Sequence, residues 1–168
     1  MPYTLNDLVG DIKDILVNDQ IQNGSDKICY FVSKALMDQN FIAENLPDRL
    51  NGEPPRQILY EDNDTGFCVC GHVYDTEAIG TPHDHGPSWA IYGQASGETE
   101  MTDWEITNDI SSGDIIRVKP KKSYTRGTWP ILTSKNIQLD KIAIRQTNKI
   151  SYSLPGMFSK IQELFFFI

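Results

Sequence analysis

Gly80-Thr81-Pro82-His83-Asp84-His85-Gly86-Pro87-Ser88-Trp89-Ala90-Ile91-Tyr92-Gly93-Gln94-Ala95-Ser96-Gly97-Glu98-Thr99-Glu100-Met101-Thr102-Asp103-Trp104 is the most informative run in this chain. Two short β-rich segments, Ser88 to Tyr92 and Thr99 to Trp104, flank the turn residues Ala95-Ser96-Gly97. Pro82 before the histidine pair and Gly86-Pro87 after it limit the first segment and open its end. Residues i and i+2 of a strand point to one face, so His83 and His85 are predicted to project both imidazoles into the same interior. Neutral imidazole is a strong ligand for first-row transition metals. Two histidines on one strand face also occur as hydrogen-bonded packing residues, so the spacing by itself leaves both readings open.

Upstream, more strands are predicted at Gln57 to Tyr60 and Gly66 to Tyr74, separated by the turn Asn63-Asp64-Thr65-Gly66. Before Gly52-Glu53-Pro54-Pro55, where glycine and two prolines forbid regular structure, the pattern is helical. Thr4 with Asp7 three residues on reads as a helix start, followed by Leu5, Leu8, Val9, Ile12, Ile15 and Leu16. A second helix is predicted after Ser25, with Ile28, Phe31, Val32, Ala35 and Leu36 on one face, and a short third over Phe41 to Leu46, closed by Pro47. A helical preface over 1–50 and short strands over 57–125 predict a mainly β fold, a barrel or sandwich with an N-terminal helical cap. The tail, 126–168, shows little alternation. Its end, Leu164-Phe165-Phe166-Phe167-Ile168, is too short to span a bilayer and looks ready to pack on an unfinished sheet edge.

Length and charge narrow the function classes. The 168 residues suit a single compact domain. A net charge of −8 argues against a nucleic-acid surface, and the basic run Arg117 to Lys122 reads as a solvated strand end. Three cysteines, Cys29, Cys68 and Cys70, have no framework spacing and read as small buried hydrophobes in a reducing compartment. With no cationic stretch leading into an apolar run at the N-terminus, the expected location is the cytoplasm.

The run from Pro82 to Trp104 closely resembles the first metal-binding motif of cupins in the cysteine dioxygenase-like group, and the likeness extends over about Leu59 to Glu105. The resemblance implies a double-stranded β-helix, or jelly-roll, barrel, incomplete here at the C-terminus. It implies that His83 and His85 ligate one non-haem Fe(II), and that a small thiol carboxylate and O2 react there to give a sulfinate. Many cupins place a glutamate four or five residues after the second histidine; Trp89 and Ala90 stand there instead, as in the histidine-only thiol dioxygenases. Ala90 also replaces the cysteine from which animal cysteine dioxygenases build a thioether crosslink, so that crosslink is not expected. Trp89, Tyr92 and Gln94 are expected to line the substrate pocket by proximity, or to pack the barrel.

Such a site needs a third ligand, and His72, the one histidine left, lies earlier in the chain. A second motif is expected near Gly113-Asp114, and Tyr124 stands where its histidine belongs. Tyr124, Glu98, Glu100 and His72 are the candidates: Tyr124 also reads as a packed strand aromatic, His72 as a core histidine or one that orients substrate, and nothing in the sequence chooses between the two glutamates, which in hairpins mostly face water. Back-translation of Thr125 to Asp140, read from the third base of each codon, permits Pro-Gly-Asp-Met-Ala and later His-Ser-Ile-Arg, which suggests a frameshifted copy with its third ligand out of frame. The competing function is therefore a non-catalytic cupin, a sensor or degenerate copy that binds without turnover.

Overall fold

The computed structural model describes residues 2–18, 21–50, 52–75, 79–83, 90–108, 116–127, 139–140 and 161–167. Among these, three helices come first: α1 (Leu5–Asn18), α2 (Ile21–Met37) and α3 (Gln39–Asn45). At the start of α1 the Asp7 carboxylate accepts from the Thr4 backbone N–H (2.8 Å), and the Thr4 hydroxyl accepts from the Asp7 N–H (3.2 Å). This is a reciprocal cap with aspartate in the glutamate role. Ser25, expected before the second helix, lies inside it and is buried. A small side chain fits a packed helix face, and the start falls a turn earlier, at Ile21. The third helix is capped by Asp38, whose carboxylate accepts from the N–H groups of Asn40 and Phe41. Asp38 also accepts from the Tyr3 N–H (2.9 Å), which ties the chain start to the α2–α3 junction.

The described residues then form seven strands: β1 (Arg56–Glu61), β2 (Cys68–Tyr74), β3 (Ala90–Ser96), β4 (Glu98–Ile106), β5 (Val118–Gly127), β6 (Leu139–Asp140) and β7 (Ile161–Phe167). They make a five-stranded sheet in the order β1-β2-β7-β3-β6 and a separate pair, β4-β5. The β1–β2 hairpin closes over Asp62, which is only 3% exposed. Its carboxylate accepts from the Thr65 N–H and hydroxyl and from the Lys13 ammonium (2.8 Å), so α1 is fastened to the turn. The ammonium first, and then the Thr65 hydroxyl, hold this carboxyl well below the usual range.

The helices cover one face of the larger sheet. Leu8, Ile12, Ile28, Val32 and Phe41 pack with Val69, Val73, Ile91 and Leu164 in one core. Close approach depends on two glycines that flank Leu164 in register, Gly71 on β2 and Gly93 on β3. A Cβ at Gly71 would sit 2.6 Å from Leu46 Cδ2; at Gly93 it would sit 2.8 Å from Val32 Cγ1 and closer still to Leu36 Cδ1. Valine is stiff at χ1 and cannot swing aside. Gly93→Ala is therefore expected to lower stability by about 2 kcal/mol through overpacking, read as a shifted urea midpoint; an unchanged midpoint would show that α2 is not seated on this glycine.

Two expectations are corrected. The mainly β fold with a helical cap is formed; of the barrel, incomplete at the C-terminus, that was expected, the described residues show a five-stranded sheet and a two-stranded ribbon and no closed barrel. The turn residues Ala95-Ser96-Gly97 do lie between two strands, but the second of them, β4, pairs with β5, in register from Glu98↔Gly127 to Ile106↔Val118. Gly97, at φ 76°, makes a corner between sheets. The apolar C-terminal run, which looked like edge material, supplies the central strand β7, pairing antiparallel with both β2 and β3. Leu164 is fully buried there. The basic run reads as expected, with Lys119, Lys121 and Lys122 exposed on β5. Among the described residues no helix is long and apolar enough to cross a membrane.

Candidate functional site

Strand β2 alternates. Val69, Gly71 and Val73 face the helices, so Cys68, Cys70, His72 and Tyr74 lie on the other side. Residues directly opposite in antiparallel strands share a face. The register therefore sets His72 in line with Gln94, Cys70 with Tyr92, and Cys68 with Ala90, in each case across β7. On the other flank Arg56 of β1 stands opposite His72. One sheet face thus gathers a guanidinium, two thiols, an imidazole, two phenols and an amide.

The contacts on this face are specific. Arg56 Nη2 donates to Cys70 Sγ at 3.6 Å, and Cys68 Sγ lies 3.9 Å from Cys70 Sγ. The Tyr74 hydroxyl is 3.4 Å from His72 Nδ1, with the two rings edge to face. Burial, reinforced by the positive charge of Arg56, brings the His72 imidazole down from 6.5 to about 4, so it is neutral at pH 7. The Gln94 amide donates to the Ser96 carbonyl (2.8 Å) and accepts from the Thr99 hydroxyl (3.1 Å) across the Gly97 corner. That bond joins the face to the β4–β5 ribbon.

His83 precedes β3 in the chain. It ends the described segment 79–83 and is exposed. Its Nδ1 lies 2.9 Å from the Thr81 carbonyl oxygen. A carbonyl only accepts, so Nδ1 carries the proton. In the neutral ring the lone pair is then on Nε2, the arrangement that a backbone carbonyl behind a metal-bound histidine imposes. His85 and Trp89 lie outside the described residues, as does Gly113-Asp114 and most of the stretch behind the frameshift reading.

The remaining candidates separate by parity. On β4, Glu98 and Glu100 alternate with Thr99 and Met101, and Tyr124 of β5 stands opposite Met101. Tyr124 therefore shares the side whose Thr99 meets Gln94, and the two glutamates take the other side. Tyr124 is half-buried, with the Lys122 ammonium 5.9 Å from its ring centre. His72, Tyr92 and Gln94 come together on one face, Tyr124 belongs to the adjoining side of the ribbon, and His83 is exposed on the segment 79–83. Among the described residues, no group of three or more His, Cys, Asp or Glu side chains is placed to hold a metal ion. The proton position of His83 fits a ligand; a complete three-donor set is not formed by what is described.

Arg56 escaped the sequence reading because it follows two prolines and looks like the end of a connector. Its role on the sheet depends on pairing with His72, which the Asp62 turn fixes.

No family model matches this chain, and no curated protein matches it. Among solved structures it is similar to KdgF from Halomonas sp., at 18% identity and a TM-score of 0.32, over 70% of this chain and 85% of that one. A likeness of that size carries no argument about fold or chemistry.

Proposed function

We propose that the chain is a cupin-type metalloprotein related to the thiol dioxygenases, which holds Fe(II) through His83 and His85. The observation that carries this reading is the Pro82-His83-Asp84-His85-Gly86 motif together with the 2.9 Å approach of His83 Nδ1 to the Thr81 carbonyl, the kind of contact that orients a ligating imidazole. The motif leads directly into β3, whose Ala90, Tyr92 and Gln94 line the polar sheet face. Fe(II) held by His83 and His85 would supply the centre for oxidation of a small thiol by O2 to the sulfinate. The protein's own contribution is placement. Arg56 offers a guanidinium suited to a substrate carboxylate. Tyr92 and Gln94 shape the floor, and neutral His72 offers a hydrogen-bonding ring that does not repel a cation.

The test is oxygen consumption by the iron-loaded protein with a panel of small thiol carboxylates, with the product identified by mass. Uptake of one O2 per thiol, with a product heavier by two oxygen atoms, is the expected result. Arg56→Met is expected to raise KM for thiol carboxylates far more than for thiols lacking the carboxylate.

A second reading, a cupin that binds metal without turnover, is favoured by the sequence, which places no histidine on a later strand to join His83 and His85. Tight iron with no oxygen uptake across the thiol panel would select it over the first.

A further inference from the structure

The proposed iron site makes no use of the two thiols on β2. Cys68 and Cys70 are both reduced, with sulfurs 3.9 Å apart on the face away from the helices. We propose that Cys68 and Cys70 form a chelating dithiolate site for a thiophilic d¹⁰ cation, independent of His83 and His85.

The spacing suits such an ion. Metal–sulfur bonds of about 2.3 Å drawn to sulfurs 3.9 Å apart enclose an angle of roughly 115°, between tetrahedral and trigonal. A disulfide would instead need the sulfurs at about 2.05 Å, which i, i+2 positions on a pleated strand reach only with backbone movement. Chelation needs almost none.

The electrostatics agree. The Arg56 guanidinium donates to Cys70 Sγ at 3.6 Å, so a positive charge stands beside one of the two sulfurs that would carry negative charge toward the metal. Binding exchanges two thiol protons for two metal–sulfur bonds, with no change of oxidation state. Among the described residues no third His, Cys, Asp or Glu joins the pair, and an added small thiol can complete the coordination. Cys68 is half-buried and provides the entry, while Cys70 is fully buried behind it. The third cysteine is a natural control: Cys29 lies in the helical core, where burial pushes its thiol up to about 12.

The experiment is titration of the full, iron-free chain with Cd²⁺ alone, followed by the thiolate-to-metal charge-transfer absorption and by proton release. In the His83→Ala/His85→Ala background, one equivalent per chain and two protons released are expected. The band is expected to vanish in Cys68→Ser and to persist in Cys29→Ser and in the His83→Ala/His85→Ala double variant. Because Cys70 is packed, Cys70→Ser is read only if its far-ultraviolet circular dichroism matches the parent; Cys68→Ser carries the test without it. A band that survives Cys68→Ser, or that disappears with the two histidines, would overturn the assignment. Failure of the iron reading leaves these outcomes unchanged, since no histidine enters the readout.

Discussion

Replacing His83 with alanine is expected to weaken Fe(II) binding by more than about a hundredfold, because losing even a group that only hydrogen-bonds a metal ligand costs roughly 10- to 100-fold and this change removes the donor itself. His83→Ala is expected to leave the fold intact. The side chain is exposed, and substitutions at such positions usually stay within about 0.5 kcal/mol. That combination makes the result interpretable: iron content measured on the purified protein falls while the thermal midpoint stays put. His85→Ala is expected to behave the same way, and the double variant to be little worse than either single one, since ligands of one ion act as a unit. His72→Gln supplies the contrast. If it also empties the protein of iron, His72 is a ligand and the polar sheet face is the metal site; if iron stays in His83→Ala, the histidine motif is not the centre.

Acid is expected to destabilise this protein through His72 before the carboxylates contribute. The folded-state imidazole is depressed from 6.5 to about 4. The unfolded chain therefore takes up a proton at higher pH than the folded one does. The neutral ring's contribution to stability is complete above about pH 6.5, declines as pH falls from there to about 4, and is flat below. At about 1.4 kcal/mol per pH unit, the loss across that window is about 3 kcal/mol. The carboxyls of Asp7, Asp38, Asp62 and Glu105 are all held below their ordinary values, so their contributions are lost only as pH falls below about 4. Urea unfolding at pH 7 and at pH 4.5, on the parent and on His72→Gln, isolates the imidazole. An identical slope in both proteins would mean that His72 is not the group responsible.

The helical preface was legible because its signals are local. Thr4 and Asp7 cap each other within one turn, and Leu8, Ile12, Ile15, Ile28, Val32 and Ala35 recur at the helical period that buries them. The Asp38 cap was missed because the helix it opens is short and its partners are backbone N–H groups. Strands β1 and β2 were legible from alternation and from the Asp62–Gly66 turn. What alternation could not give is which strands pair. Gly97 reads as a turn between two strands, yet its positive φ serves a corner, and β4 goes to β5. Tyr124, Glu98 and Glu100 could be divided only once that pairing fixed which of them share a side.

Spacing between near neighbours was enough to specify the helical cap, the short strands beyond Pro55 and the His83-x-His85 pair. The place of the apolar C-terminal run is a tertiary matter: it becomes the central strand between β2 and β3, and that insertion aligns His72 with Gln94 and Cys70 with Tyr92. Register between strands so far apart in the chain is set by the burial of Leu164 between Gly71 and Gly93 beneath α2 and α3, and no local pattern encodes it.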